Sequence, residues 1–414
     1  MQFTQIQTAR SFAVAALAST FLTAAPAYAL EGSAFADALV AAAEEQGVAI
    51  TYDSARVEGS NVIVSGMTLG LVELEDVEGG EDMQANVSGD VLFEDVQEFD
   101  GGGYKVARVG RENVGQTFSD LGGSPDQVTY AIDRWGIEGL MIAGDSQAPE
   151  LALARAGLFY DRLFLENMTV DVDGNRFASL ENAQSVTEMN GETALFDASM
   201  DGFSMDMTEF DDPDVQSWVQ GTGYETINAN YISQGEWNTT SGDLSVPTNT
   251  LTIENMGSFN LGMALGGYTP AFVESLQQIS DQMTSGDPSQ AQAAQMQILG
   301  LVSQLSFGNF IMRYEDQGGT DRLLEYYAQE NGMTRNELVS QTMQGLPLVL
   351  GQMGVPALQE QITSAVQSFL DNPQSITVSL QPAEPVPFPV LMGAAMSSPA
   401  EVVNALNAQV TAND

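Results

Sequence analysis

Apolar and polar positions change rhythm along this chain. In "VAITYDSARVEGSNVIVSGMTLGLVEL" the apolar residues alternate with polar ones, the pattern of a strand with one face buried. Ile50 and Tyr52 begin it, and Val62 and Val64 resume it after a Gly59-Ser60-Asn61 turn. Just before this run, "SAFADALVAAAEEQG" sets Phe35, Leu39 and Ala42/Ala43 at helical spacing, with Gly47 at the stop. Short strands and turns then continue to about residue 268. The cleanest strand is "SFNLGMALGG", where Phe259, Leu261, Met263 and Leu265 share one face and Asn260, Gly262 and Ala264 the other.

One pattern recurs: an apolar residue, a polar one, Gly or Asn, then an apolar residue. It occurs at Val64-Ser65-Gly66-Met67, Ile137-Glu138-Gly139-Leu140, Leu165-Glu166-Asn167-Met168, Met200-Asp201-Gly202-Phe203 and Ile253-Glu254-Asn255-Met256. Gly and Asn tolerate left-handed backbone best. Placed inside strands, they predict bulges or kinks that re-aim the side chains that follow. The copies are unevenly spaced, so this is no solenoid repeat.

After residue 268 the period becomes helical. Thr269-Pro270 opens a helix with Phe272, Leu276, Ile279 and Met283 on one face, and a second follows Asp287-Pro288. The strand "FGNFIMRYED" comes next. Helices then start at Thr320, at a Thr334/Glu337 capping box and at Pro356. "SITVSLQ" is a strand, "PAEPVPFPV" reads as extended and exposed, and a short helix after Ser398-Pro399 precedes a last strand, "AQVTAN". The expected fold class is α+β. A large curved, mainly antiparallel β-sheet fills the first two-thirds, with a helical section packed on it in the last third. The expected division is residues 1–29 as a signal peptide, 30–268 as a β-rich domain, and 269–414 as a mixed helical and strand section that either continues that domain or forms a second.

The signal peptide rests on Arg10, the apolar run Phe12–Leu22 and the small residues flanking Tyr28 in Ala27-Tyr28-Ala29. No later stretch is long and apolar enough to span a bilayer. The expected location is therefore periplasmic, with an extracellular one as the alternative, and no transmembrane segment after cleavage.

Charge and missing residue types then restrict function. With 56 acidic against 12 basic residues the net charge is -44, which opposes nucleic acid and anionic membrane surfaces as partners. There is no cysteine and no histidine, so triads built on His or Cys, zinc sites made from them and haem attachment are excluded. The one lysine, Lys105, precedes Val106 rather than Ser or Thr, and residue 102 is glycine. A P-loop and a Ser-x-x-Lys nucleophile both fail. Only carboxylate chemistry remains: a glycosidase-like pair, or oxygen ligands for calcium or magnesium.

"DVDGNRFASLEN" tests the calcium option. Asp171, Asp173 and Asn175 occupy the first ligand positions, but Arg176 stands where a glycine is needed and Asn182 where the bidentate glutamate belongs. The same residues make a better hairpin. A type I′ turn at Asp173-Gly174 sets Val172 opposite Asn175, Asp171 opposite Arg176 and Val170 opposite Phe177; a turn at Gly174-Asn175 shifts the pairing and still sets Arg176 opposite an aspartate. The acidic runs "VELEDVEGGED" and "TEFDDPD" read as solvated loops rather than ion sites. In "GYKVARVGREN", strand alternation sends Lys105 and Arg111 one way and Arg108 the other. No catalytic, metal-ligating or cofactor-binding residue is assigned, and no cofactor is implied.

The opening "VAITYDSARVEGSNVIVSGMTL" behind a signal peptide resembles those of secreted alphaproteobacterial proteins of unknown function. The segments "VSGMTL", "LENMTV" and "TIENMG", with "GEWNTTSGDLSV", are similar to strand units of AsmA-like envelope proteins. That resemblance covers the β-rich part and implies a long β-sheet groove and a role in outer-membrane lipid homeostasis. Those proteins usually carry a membrane anchor, which this chain is expected to lose. The leading expectation is a non-enzymatic envelope protein that binds or shields a lipid-like ligand, or a partner, on a curved sheet. The alternatives are a carboxylate-only glycoside hydrolase acting on envelope polysaccharide beside exposed Trp218 or Trp237, and a calcium-stabilised adhesion or matrix protein.

Overall fold

The computed structural model describes residues 30–44, 47–71, 85–86, 89–119, 127–210, 212–284, 288–351 and 355–414. The expected signal peptide and the whole of "VELEDVEGGED" lie outside them. Helix α1 (Gly32–Glu44) comes first and buries Phe35 and Ala36. Strands β1 (Val48–Thr51), β2 (Ser54–Glu58), β3 (Asn61–Ser65), β4 (Thr68–Leu71), β5 (Ala85–Asn86) and β6 (Val91–Phe99) follow. Then come β7 (Gly103–Ser119), β8 (Gln127–Ile142), the one-turn helix α2 (Ala152–Arg155), β9 (Arg162–Val172), β10 (Asn175–Asn190) and β11 (Thr193–Asp206). Helix α3 (Pro213–Thr222) separates these from β12 (Thr226–Asn238), β13 (Leu244–Ile253) and β14 (Gly257–Gly266). The last part contains α4 (Pro270–Thr284), α5 (Pro288–Val302), β15 (Ser306–Asp316), α6 (Gly319–Glu330), α7 (Arg335–Leu350) and α8 (Pro356–Asp371). It ends with β16 (Ser375–Leu380), β17 (Val386–Pro387), α9 (Phe388–Ser397), α10 (Pro399–Ala405) and β18 (Ala408–Ala412).

The α+β class holds. One 15-stranded sheet runs in the order β18-β16-β15-β14-β13-β12-β11-β10-β9-β8-β7-β6-β3-β2, with β17 also on β15. From β6 to β16 it is a meander of sequence neighbours, every pair antiparallel, whether the connection is a tight turn or a run of helices. Strands from both sides of residue 268 lie in this one path. A separate sheet joins β1, β4 and β5.

The recurring pattern does what its residue types require. Gly66, Gly139, Asn167, Gly202 and Asn255 all have positive φ, from 49° to 67°. Gly139, Asn167 and Gly202 lie inside strands, whereas Gly66 and Asn255 turn the chain at strand ends. Two more left-handed residues inside strands, Asp95 and Asn113, extend the series. Only Gly202 coincides with a register shift, between Met200 and Phe203 against β12. The register passes through Asp95, Asn113, Gly139 and Asn167 unshifted. Neighbouring strands therefore step together at these levels, and the ladder resumes in phase. Burial shows the step directly. Val91, Phe93 and Val96 are all core, as are Val106 and Val109, so alternation advances by one residue between Phe93 and Val96 and again between Val106 and Val109.

Side chains from adjacent strands support the kinks. Gly202 N–H donates to Asn230 Oδ1 at 3.0 Å, Asp95 N–H to Asn61 Oδ1 at 2.9 Å, and Asn167 Nδ2 to Asp133 Oδ2 at 2.9 Å. The side chains of Asp53, Asp161 and Glu181 lie over Gly66, Gly139 and Gly202, where any Cβ would collide with them.

Two apolar clusters seat helices on the large sheet. Phe35 of α1 meets Phe93 and Tyr104 edge-on, at centroid distances of 5.0 and 5.2 Å. Such pairs are worth about 0.5–1.5 kcal/mol beyond the area they bury. At the other cluster, Phe272, Val273 and Ile279 of α4 and Leu301 of α5 pack with Ala194 and Trp237.

Several expectations are corrected here. Helices α2 and α3 interrupt the section expected to be short strands and turns. "PAEPVPFPV" is extended only as far as the two residues of β17; Phe388 begins α9, whose second residue is a proline, a position a helix start accepts. Val170 pairs with Ala178, because a bulge falls between Arg176 and Ala178 and removes Phe177 from the register. Lys105 and Arg108 share the face opposite the core, since the step between Val106 and Val109 breaks the alternation that separated them.

Candidate functional site

Pairing register places side chains from successive strands in rows, because directly opposed residues share a face. One row runs Trp135, Leu165, Ala183, Met200, Tyr231, Leu251, Phe259, Tyr314, Ile376. It crosses β8 to β16, and every member is apolar or aromatic. On the opposite face, Gln184, Ser199, Ile232, Thr250, Asn260, Arg313, Thr377 and Thr411 form a row that is polar except at Ile232. The polar row satisfies itself. Thr250 Oγ1 donates to Asn260 Oδ1 at 2.8 Å, and Arg313 donates to Thr377 Oγ1 and Asp414 Oδ1, each at 2.8 Å.

The helices cover the apolar face unevenly. α4 and α5 close it over Ala194 and Trp237, where Trp237 Nε1 donates to Tyr268 O. α8 closes it at β15, where Phe369 meets Tyr314 edge-on with centroids 6.0 Å apart. Between them Leu251 and Phe259, opposite each other on β13 and β14, are 38% and 40% exposed. Leu163, farther along the face on β9, is 37% exposed. Large apolar residues left open side by side on a sheet face, rather than scattered, mark a surface that something covers.

Tyr314 stands one strand from the end of the row. Its hydroxyl donates to Met256 O at 2.9 Å and Asp316 Oδ1 at 3.1 Å. Burial pushes its phenol up to about 12. Asp316 is held below its ordinary range. Burial works against its charge but is outweighed by hydrogen bonds from Thr320 and the Gly318 N–H.

The sequence-derived candidates resolve as follows. Asp173 and Gly174 both have positive φ, at 50° and 83°, as a type I′ turn requires. Arg176 Nε lies 2.6 Å from Asp171 Oδ1, so the apparent cation loop is a hairpin with a cross-strand ion pair. In "TEFDDPD", Asp212 N-caps α3, accepting from Asp214 N and Val215 N at 2.8 and 3.2 Å; Asp211 lies outside the described residues. Among the described residues no group of three or more carboxylates converges as a metal site would. Trp237 is 3% exposed, and Trp218 stacks on Tyr224 at 5.7 Å; neither is the open aromatic platform a polysaccharide cleft was expected to offer. Arg111 donates to Asp90 O at 3.0 Å. Arg134 and Arg162, far apart in sequence, meet over Phe164, each 4.7 Å from its ring centroid. Only the register of β8 and β9 brings them together.

A family model described as an uncharacterized protein matches residues 250–413. The match begins inside β13 and takes in the last strands of the large sheet together with helices α4 to α10. No curated protein matches the chain.

Proposed function

We propose that this is a non-enzymatic protein of the cell envelope, exported by its N-terminal signal, that holds the acyl portion of a lipid-like ligand along the apolar face of its sheet. The observation that carries this is the unbroken apolar row from Trp135 to Ile376, left open at Leu251 and Phe259 and backed by a polar, hydrogen-bonded face. A row perpendicular to the strands suits a long, thin chain, since strands lie ~4.8 Å apart and nine positions span about 40 Å. Ligand burial would complete what the helices leave uncovered, at about 25 cal/mol per Å² of apolar surface removed from water. The similarity of the strand units to AsmA-like envelope proteins supports the same reading.

The test is lipid extraction and mass spectrometry of protein purified from its own envelope, beside a Leu251→Asp/Phe259→Asp variant. Both side chains are partly exposed, so the variant is expected to fold. Wild type should carry acyl lipid in near-stoichiometric amount and the variant less than about a tenth of it, since two carboxylates on an apolar track cost several kcal/mol to cover. Equal lipid in both, or none in either, would remove the proposal.

A further inference from the structure

We propose that the margin of the large sheet at β18 accepts an extended peptide segment of a partner protein as an added strand. β18 ends the strand order on its side of the sheet. It pairs antiparallel with β16, and Asn413 N–H donates to Ser375 O at 2.8 Å. In such a ladder alternate residues turn their backbone groups to opposite sides. Gln409, Thr411 and Asn413 therefore face β16, and Ala408, Val410 and Ala412 turn their N–H and C=O groups outward. Val410 bears this out. Its N–H is taken by Gln361 Oε1 of α8, at 3.4 Å. That length is near the limit of a hydrogen bond, so Gln361 is a cap that a strand would displace cheaply.

A cleft of about 430 Å³ runs beside this edge. Its walls are β18 itself, Leu358 and Gln361 of α8, and Val403 and Asn404 of α10. Outward backbone groups at two-residue spacing are matched by another strand and by little else, and uncharged walls that mix Leu358 and Val403 with the amides of Gln361 and Asn404 suit a strand of alternating apolar and neutral polar side chains. Charge narrows the occupant further. No lining residue is charged, although the chain as a whole carries -44. Exposed Glu360 and Glu401 stand on the helical turns that supply Gln361 and Val403. A neutral extended core with basic flanks complements this arrangement, whereas an acidic segment or a free anion is repelled.

The experiment is fluorescence anisotropy of the full protein with a fluorescein-labelled peptide of sequence lysine-valine-threonine-valine-threonine-valine-lysine. Saturable binding is expected, weakened at least about tenfold, or about 1.4 kcal/mol, when alternate peptide nitrogens are methylated. Val410→Pro should weaken it by a similar factor. Proline there removes an outward N–H and leaves the β16 ladder intact, as edge strands allow; an unchanged circular dichroism melt checks the fold. Should that variant unfold, the methylated peptide decides alone. Absence of binding, or equal binding of both peptides, overturns the proposal. So does self-association that Val410→Pro abolishes, which would assign the edge to a second copy of the chain.

Discussion

Gly139 shows how single residues set the course of this sheet. Its φ is +65°, and Asp161 occupies the space a side chain would need. Gly139→Ala therefore meets both backbone strain and a collision, and should destabilise by at least ~1–2 kcal/mol. Asn167, at φ 49°, makes the converse case. Asn167→Gly gives up a hydrogen bond to Asp133 but relieves the backbone, so it should stay within about 0.5 kcal/mol of wild type, whereas Asn167→Val should lose ~1–2 kcal/mol. Urea midpoints of the three variants test the ranking, and a Gly139→Ala protein as stable as wild type would contradict it. These positions were legible in the sequence because Gly and Asn stood between apolar residues. Asp95 and Asn113 were not: one is an aspartate, and the other follows Arg111-Glu112 rather than an apolar-polar pair. The joint stepping of adjacent strands was also hidden, since it depends on which strands are neighbours.

Helices and strands were legible where their ends carry local chemistry. The Thr334/Glu337 capping box is formed in full, and Thr269 Oγ1 accepts from Phe272 N at 3.2 Å at the start of α4. The start of α6 was misread by one residue for a reason of tertiary origin. Its first N–H groups are held not by Thr320 but by Asp316 at the end of β15, which accepts from Gly318 N and Thr320 N at 2.8 Å each. α9 was missed because four closely spaced prolines suggested extended chain, while the last of them, Pro389, is one a helix tolerates in its first turn. Asp316 gives this scale its prediction. Asp316→Ala should cost about 1–2 kcal/mol at pH 7 by removing the cap; Asp316→Asn keeps the acceptor and should cost less. The charge adds a pH signature. The folded pKa lies below the ordinary 3.8, so its stabilisation is present above that value and is lost as pH falls through the folded pKa. The gap between wild type and Asp316→Asn should accordingly be constant from neutral pH to about 5 and close below about 4. A gap that widened on acidification would mean that the carboxylate is not what the helix start binds.

For the whole molecule, sequence yielded the fold class and the apolar rhythm, but not one sheet continuing from β2 to β18. Strands β15, β16 and β18 are separated by helices, and nothing local says that they rejoin the path begun by β14. The open track at Leu251 and Phe259 was out of reach for the same reason, because exposure depends on where α4, α5 and α8 come to rest. Charge, by contrast, is fully written in the composition, and it acts at this scale. Ion pairs engage Arg56, Arg134, Arg155, Arg162, Arg176, Arg313 and Arg335. Against a net -44 this leaves most carboxylates repelling one another. Two effects of salt then oppose each other. Screening weakens the exposed pairs, each worth ~0–1 kcal/mol, and it also weakens the repulsion, which acts over a Debye length of about 10 Å at 0.1 M. Repulsion involves several times as many groups, so it should dominate. Raising sodium chloride from about 0.01 to 0.5 M at pH 7 is expected to raise Tm by several degrees, with most of the gain before the Debye length falls below about 5 Å. Calorimetry across that series, repeated with potassium chloride to remove any specific cation effect, measures it. A Tm that fell with salt would show that the few ion pairs outweigh the field of the whole chain.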